Sequence, residues 1–170
     1  MSEKPSAQYW LLKSEPDVFS IDDLQRKGRE GWDGVRNYQA RNSLRDEMRE
    51  GDLVIYYHSS CAVPAAVGLA RVDSEAQPDP TQFDPQNNYH DPKSDPDAPR
   101  WWLRQIAFVA SFDQPVTLKA MKDWEDDMGF ALLRRGNRLS VMPVAEAVVR
   151  KILDAAKMDA SQYIKTQGAS

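Results

Sequence analysis

Residues 101–112, WWLRQIAFVASF, constrain the fold more than any other part of the chain. Trp102, Arg104, Ile106, Phe108, Ala110 and Phe112 fall on one face by alternation, the period of a β-strand. Three further segments read as strands that can join it. QYWLLKS at 8–14 is aromatic and aliphatic, LVIYYH at 53–58 is strongly β-prone, and AAVGLARV follows at 65–72. The last two can form a hairpin with a long connection around Cys61 and Pro64.

Helices interrupt this set of strands. Ser20 is a good N-cap, Asp23 completes an approximate capping box, Phe19 can staple onto Leu24, and Gly28 is a plausible stop. Asn37 can cap a second helix over roughly 38–49, with Ala40, Leu44 and Met48 as its apolar stripe. A helix near 117–124 follows the long strand, then an irregular stretch. Pro143 suits the first turn of a last helix over 143–156, with Val144, Val148 and Ile152 as its stripe. Strands at both ends of the chain, split by helices, predict an α+β fold with a mixed, curved sheet or small barrel. The absence of GxGxxG and of a βαβ rhythm argues against a dinucleotide-binding fold. Residues 73–99, rich in Pro and Asp, are expected to be a long loop, and loops of that length in a compact domain tend to be functional or disordered.

Composition narrows the function classes. The 170 residues suit one domain, and no apolar run approaches a membrane span or a signal peptide. A single cysteine points to a reducing compartment, cytoplasmic or, in a eukaryote, nuclear. The net charge of −4 weighs against nonspecific nucleic-acid binding. The charge is uneven: seven acids lie between Asp73 and Asp97, while Arg36, Arg41 and Arg45 form one basic group and Arg134, Arg135 and Arg138 another. Such runs are commonly solvated surface, but a locally basic face is open to this chain.

Catalysis and metal binding find little support. One Cys and two His, His58 and His90, make no transition-metal cluster, and the acidic loop lacks the spacing of a calcium loop. Cys61 and His58 lack a third orienting group, and no Walker, HExxH or GxSxG motif is present. No catalytic residue, metal or cofactor is expected. The aromatic residues say more. Trp10 lies mid-strand and Trp124 at a helix end, and both read as packing. Trp32 lies in a glycine-bracketed turn, GWDG, outside any apolar stripe. It serves either the core or an exposed indole face, on which bases stack for about 1–3 kcal/mol each.

Taken together, YWLLKSEP at 9–16, WDGVRNYQARNSLR at 32–45, GDLVIYYHS at 51–59, GLARV at 68–72, Tyr89 with DPK at 91–93, RWW at 100–102 and RLSVMPV at 138–144 resemble the EVE domain family. The resemblance runs in order from residue 8 to about residue 155. It implies an α+β, PUA-like pseudo-barrel of about five or six mixed strands surrounded by helices. It places the domain at 8–157, after a disordered tail at 1–7 and before a C-terminal extension at 158–170 that adds a turn and then frays. It also implies a non-catalytic binding module, a monomer, that holds one modified nucleobase of RNA or DNA in an aromatic pocket. Its alternatives are a small-ligand or protein-interaction domain, or a nucleotide-processing enzyme using the same pocket.

The remotely similar YTH domains carry the residue assignments. By that likeness Trp32 is one cage wall and Tyr89 the favoured second wall, with Trp101 and Trp102 nearby. Lys13, Ser14 and Glu15 end a strand that supplies polar readers, and the chain around Asp33 brings a backbone carbonyl or amide to the base edge. Tyr57, His58 and Ser59 floor the pocket. Asn37 is a further candidate reader, although a helix cap is its more ordinary role. Arg36, Arg41 and Lys93 are expected to hold phosphates, which position a strand without specifying it. Arg138 is placed with them, a structural ion pair being its plainer reading.

Overall fold

A computed structural model of the chain describes residues 8–124 and 129–164. The expected tail at 1–7 and the fraying of residues 165–170 lie outside the described residues. Eight strands form among the described residues: β1 (Tyr9–Ser14), β2 (Arg29–Gly31), β3 (Leu53–His58), β4 (Ala65–Val72), β5 (Gln77–Pro78), β6 (Trp102–Leu103), β7 (Gln105–Thr117) and β8 (Val141–Pro143). The helices are α1 (Ile21–Lys27), α2 (Tyr38–Asn42), α3 (Leu118–Lys122) and α4 (Glu146–Ala155). Six strands make one sheet in the order β2-β7-β4-β3-β1-β8, and β5 pairs with β6 apart from it. The protein is therefore α+β with a curled, mixed sheet, a PUA-like half-barrel.

The sheet is apolar on both faces, which explains its nearly continuous hydrophobic strands. Tyr9 and Leu11 of β1, with Leu53, Ile55 and Tyr57 of β3, join one core cluster. Trp10, Leu12, Val54 and Tyr56, the alternate positions, join the other. α4 covers the first face through Val148, Val149, Ile152 and Leu153. α1 and α2 cover the second through Ile21, Leu24 and Ala40. β1 and β3 run parallel, Tyr9 opposite Leu53 through Ser14 opposite His58. A parallel pair needs a crossover, and α1 and α2 lie within it.

The long strand departs from simple alternation. β4 and β7 shift register between Leu69 and Ala70, so that Val109 bulges between Phe108 and Ala110. Ile106 and Phe108 face the cluster under α1, whereas Phe112 faces the cluster under α4. A one-residue slip reverses which face each later side chain meets. Arg104 breaks the strand instead of lying on it. It is buried, and its guanidinium donates to the carbonyls of Leu44 (2.6 Å), Met48 (2.6 Å) and Ser74 (3.1 Å). Two of those carbonyls belong to or follow the π-helical turn Ser43–Glu47 into which α2 runs. Helix ends leave carbonyls without partners, and the guanidinium satisfies them here.

Two further expectations change. Pro143 ends β8, opposite Trp10, instead of opening the last helix. It sits on an edge strand, where a missing N–H costs no ladder bond. The segment 73–99 is built, with β5, a 3₁₀ turn at Pro80–Phe83, and a core formed by Asp79 and Gln82, both buried. A further 3₁₀ turn at Ala160–Gln162 brings Ile164 back into the core. No helix among the described residues is long and apolar enough to cross a membrane.

Candidate nucleobase-binding site

A cavity of about 460 Å³ opens where the end of β1 meets the turn after β2. The capping box at Ser20 forms as the sequence predicts, with Asp23 N–H donating to Ser20 Oγ and Ser20 N–H to Asp23 Oδ2. It fixes the start of α1 and with it the preceding segment, from which Glu15, Val18 and Phe19 line the cavity. Ser14 also lines it, its hydroxyl donating to the Phe19 carbonyl at 2.5 Å. Tyr56 Oη donates to the same carbonyl at 2.7 Å. The Ser14 oxygen keeps its acceptor capacity for a ligand.

The opposite wall is the segment 30–36. Trp32 is only 9% exposed, yet it lines the cavity. Its ring meets Tyr56 edge-on at 5.5 Å and 81°. Of the two roles open to it in the sequence, core packing is met, and the residue also contributes to the cavity lining. Gly34 has φ 77°, a left-handed conformation, and Tyr89 lies directly over it. A Cβ at position 34 would sit 2.7 Å from two ring carbons of Tyr89. Glycine is thus needed for its backbone and for the close approach of the ring.

Tyr89 belongs to the 73–99 segment, and an ion pair with a buried carboxylate locks that segment onto the turn. Asp79 Oδ2 accepts from Gly34 N–H (2.8 Å) and from Arg36 Nη1 (3.0 Å), while Oδ1 accepts from Thr81. Burial opposes the charge on Asp79. The hydrogen bonds from Thr81, Gly34 and Arg36 outweigh it and hold the carboxyl below its ordinary range. Arg36 also donates to the Tyr89 carbonyl and lies 5.5 Å from the Tyr89 ring centre and 5.3 Å from that of Trp101. Asp33 is accessible at the rim. Partial desolvation of its carboxyl, then the charges of Asp79 and Glu30, push its pKa up.

Ser14, Glu15, Trp32, Asp33, Arg36 and Tyr89 therefore line one cavity. The other residues singled out in the sequence lie elsewhere. Asn37 caps α2, its Oδ1 accepting from Ala40 N–H at 3.0 Å. His58 Nε2 accepts from Ile21 N–H at 3.1 Å, which commits the imidazole to the start of α1, and burial lowers its pKa. Arg41 donates to the Arg100 carbonyl and lies over the Tyr38 ring. Tyr57 and Ser59 line a separate cavity on the far side of Lys13. Lys93 and Arg138 line neither. Trp101 is buried, donating to Asp91 and stacked under Tyr38 at 4.9 Å. Sequence reasoning passed over Val18, Glu30 and Val35, all of which line the main cavity with Lys13, Phe19 and Ser140. Val18, 69% exposed, carried no periodic signal that could have marked it.

Comparison with known proteins matches residues 8–155 to the family model of the EVE domain. Thymocyte nuclear protein 1 of Mus musculus is 37% identical over 161 residues, which span 84% of this chain and 71% of the relative. A crystal structure of a Pseudomonas syringae protein superposes with a TM-score of 0.83 at 47% identity, covering 87% of this chain and 99% of that one. Human THYN1, solved in complex with DNA containing 5-methylcytosine, superposes with a TM-score of 0.82 at 34% identity, covering 90% and 99%.

Proposed function

The chain belongs to the EVE domain family, and from that premise we propose that it is a non-catalytic module that holds one modified nucleobase of DNA or RNA in the cavity between Trp32 and Tyr89. One observation carries the reading: two aromatic rings, one rigid and one over a glycine, line the same cavity with a polar rim of Ser14, Glu15 and Asp33. A base has two π faces and a rim of donors and acceptors, so aromatic walls supply stacking and a few fixed polar groups set identity. Val18, Phe19 and Val35 add an apolar surface suited to a methyl substituent on the base. Asp33, at the rim, offers carboxylate oxygens that can accept from an exocyclic amine. In a duplex the base must first leave the stack, at a cost of a few kcal/mol that the pocket has to offset.

The relative solved with 5-methylcytosine DNA supports the ligand class and names the first base to try. A binding role is favoured over turnover because His58, considered with Cys61 as a catalytic pair, spends its acceptor nitrogen on Ile21. Titration of short oligonucleotides with and without 5-methylcytosine, followed by tryptophan fluorescence, tests the reading. The modified strand is expected to bind more tightly. Tyr89→Ala, which removes an exposed wall and spares the core, is expected to weaken binding about tenfold, in line with loss of one stacking contact. Equal binding of modified and unmodified strands across methylated cytosines and adenines, unaffected by Tyr89→Ala and Trp32→Phe, would overturn it.

A further inference from the structure

We propose that the second cavity, of about 430 Å³, is the phosphate subsite for the strand whose base enters the first. The inference rests on the first cavity being a nucleic-acid site. Lys13, Lys122, Arg134 and Arg135 line it, and no carboxylate of a described residue does. None of the four makes an ion pair with a described residue. Lys122, Arg134 and Arg135 are exposed. The other arginine group identified in the sequence is already engaged: Arg36 with Asp79, Arg41 with the Arg100 carbonyl, Arg45 with Asp46. On a chain of net charge −4, four cations without an ion pair among the described residues concentrate attraction for an anion around one concavity.

The main cavity has the opposite character. Glu15, Glu30 and Asp33 line it, and of its two cations Arg36 is held by Asp79. That lining accepts a neutral base and repels its phosphates. The phosphates must therefore be met beside it. Lys13 lines both cavities, its backbone N–H donating to the Ser140 carbonyl, and Ser140 lines the first cavity while Asn137 lines the second. Three residues of chain span at most about 11 Å, so the two cavities are neighbours on one path. Tyr57 contributes an uncharged donor to the second cavity: burial pushes its pKa up to about 12, so the phenol keeps its proton.

The strand's backbone thus runs from the mouth beside Ser140 across Asn137 to the two arginines, and the cations set affinity while the first cavity sets identity. The test measures binding of a fluorescent single-stranded oligonucleotide bearing one 5-methylcytosine, its unmodified twin, and 5-methyl-2′-deoxycytidine, which carries no phosphate. Arg134→Gln/Arg135→Gln is compared with Arg49→Gln/Lys157→Gln, an equal charge change at exposed residues outside both cavities. The first variant is expected to bind the oligonucleotides about tenfold more weakly and to lower the slope of log affinity against log salt by about 1.4, two single-strand contacts. The nucleoside should bind it as it binds the wild type.

If the cavity variant and the control behave alike, the phosphate subsite is wrong. If the two strands bind the wild type equally but the cavity variant still loses affinity and slope, the subsite stands and the base reading fails. A wild type that binds neither strand overturns both.

Discussion

Gly34 is where the smallest change should have the largest effect on the site. Its φ of 77° and the 2.7 Å approach of Tyr89 leave no place for a methyl group. Gly34→Ala is expected to cost about 1–2 kcal/mol for the left-handed backbone and to push Tyr89 off its wall. Thermal unfolding measures the first effect and loss of base binding the second. Asp33 offers a pH test. Its folded pKa is raised, so between the ordinary carboxylate value and that higher value the native state holds more protons than the unfolded chain. Stability then falls as pH rises through that window and stays lower above it. Asp33→Asn should therefore raise the melting temperature at neutral pH, remove the fall across the window, and weaken selectivity among bases. A variant that melts as the wild type does at every pH would show that Asp33 carries no such strain.

The elements differ in how openly the sequence announced them. α1 was legible because its cap, box and staple are all local, and Ser20, Asp23 and Gly28 act as local chemistry dictates. β1 and β3 were legible as strands, but their burial on both faces comes from helices contributed elsewhere in the chain. The reversal of face within β7 was hidden because the bulge at Val109 depends on its register against β4. Arg104 was hidden too: an arginine in an alternating run gives no sign that its partners lie in a helix sixty residues earlier. The segment 73–99 was read as loop because its order rests on side chains, chiefly Asp79 and Gln82, instead of a periodic backbone pattern.

That segment carries the prediction at this scale. Asp79 is fully buried and paired with the partly exposed Arg36, and leaving its buried donors without an acceptor typically costs about 1–3 kcal/mol. Asp79→Ala should destabilise the protein by that order and release Tyr89 with its loop, so hydrogen exchange should rise first across residues 79–91. Its folded pKa is depressed, so its stabilisation is present above the unfolded carboxylate value and is lost as pH falls through the folded one.

For the molecule as a whole, the curled sheet brings residues far apart in sequence to one mouth: the end of β1, the turn after β2, the 73–99 segment and Ser140 before β8. Ser14, Glu15, Trp32, Asp33 and Tyr89 were foreseen for one place through the family resemblance, and the spacing of residues alone supported only an oddly placed tryptophan; Arg36, expected to hold a phosphate, is instead held by Asp79. Asn37, Tyr57 and His58 were foreseen there as well, but one became a cap, one turned to the neighbouring cavity and one anchors α1. Adjacency in sequence says little about which side of a strand end a residue faces. The proposed strand recognition is compatible with overall acidity because four cations gather around one cavity beside the proposed base site.

The most direct measurement is a crystal structure of the protein soaked with 5-methyl-2′-deoxycytidine. The base is predicted to lie in the cavity with its face against Trp32, Tyr89 on the other side, and its polar edge within hydrogen-bond distance of Ser14 or Asp33. A base bound away from Trp32, or a cavity filled only by solvent at saturating nucleoside while the modified strand still binds in solution, would contradict the assignment of this site.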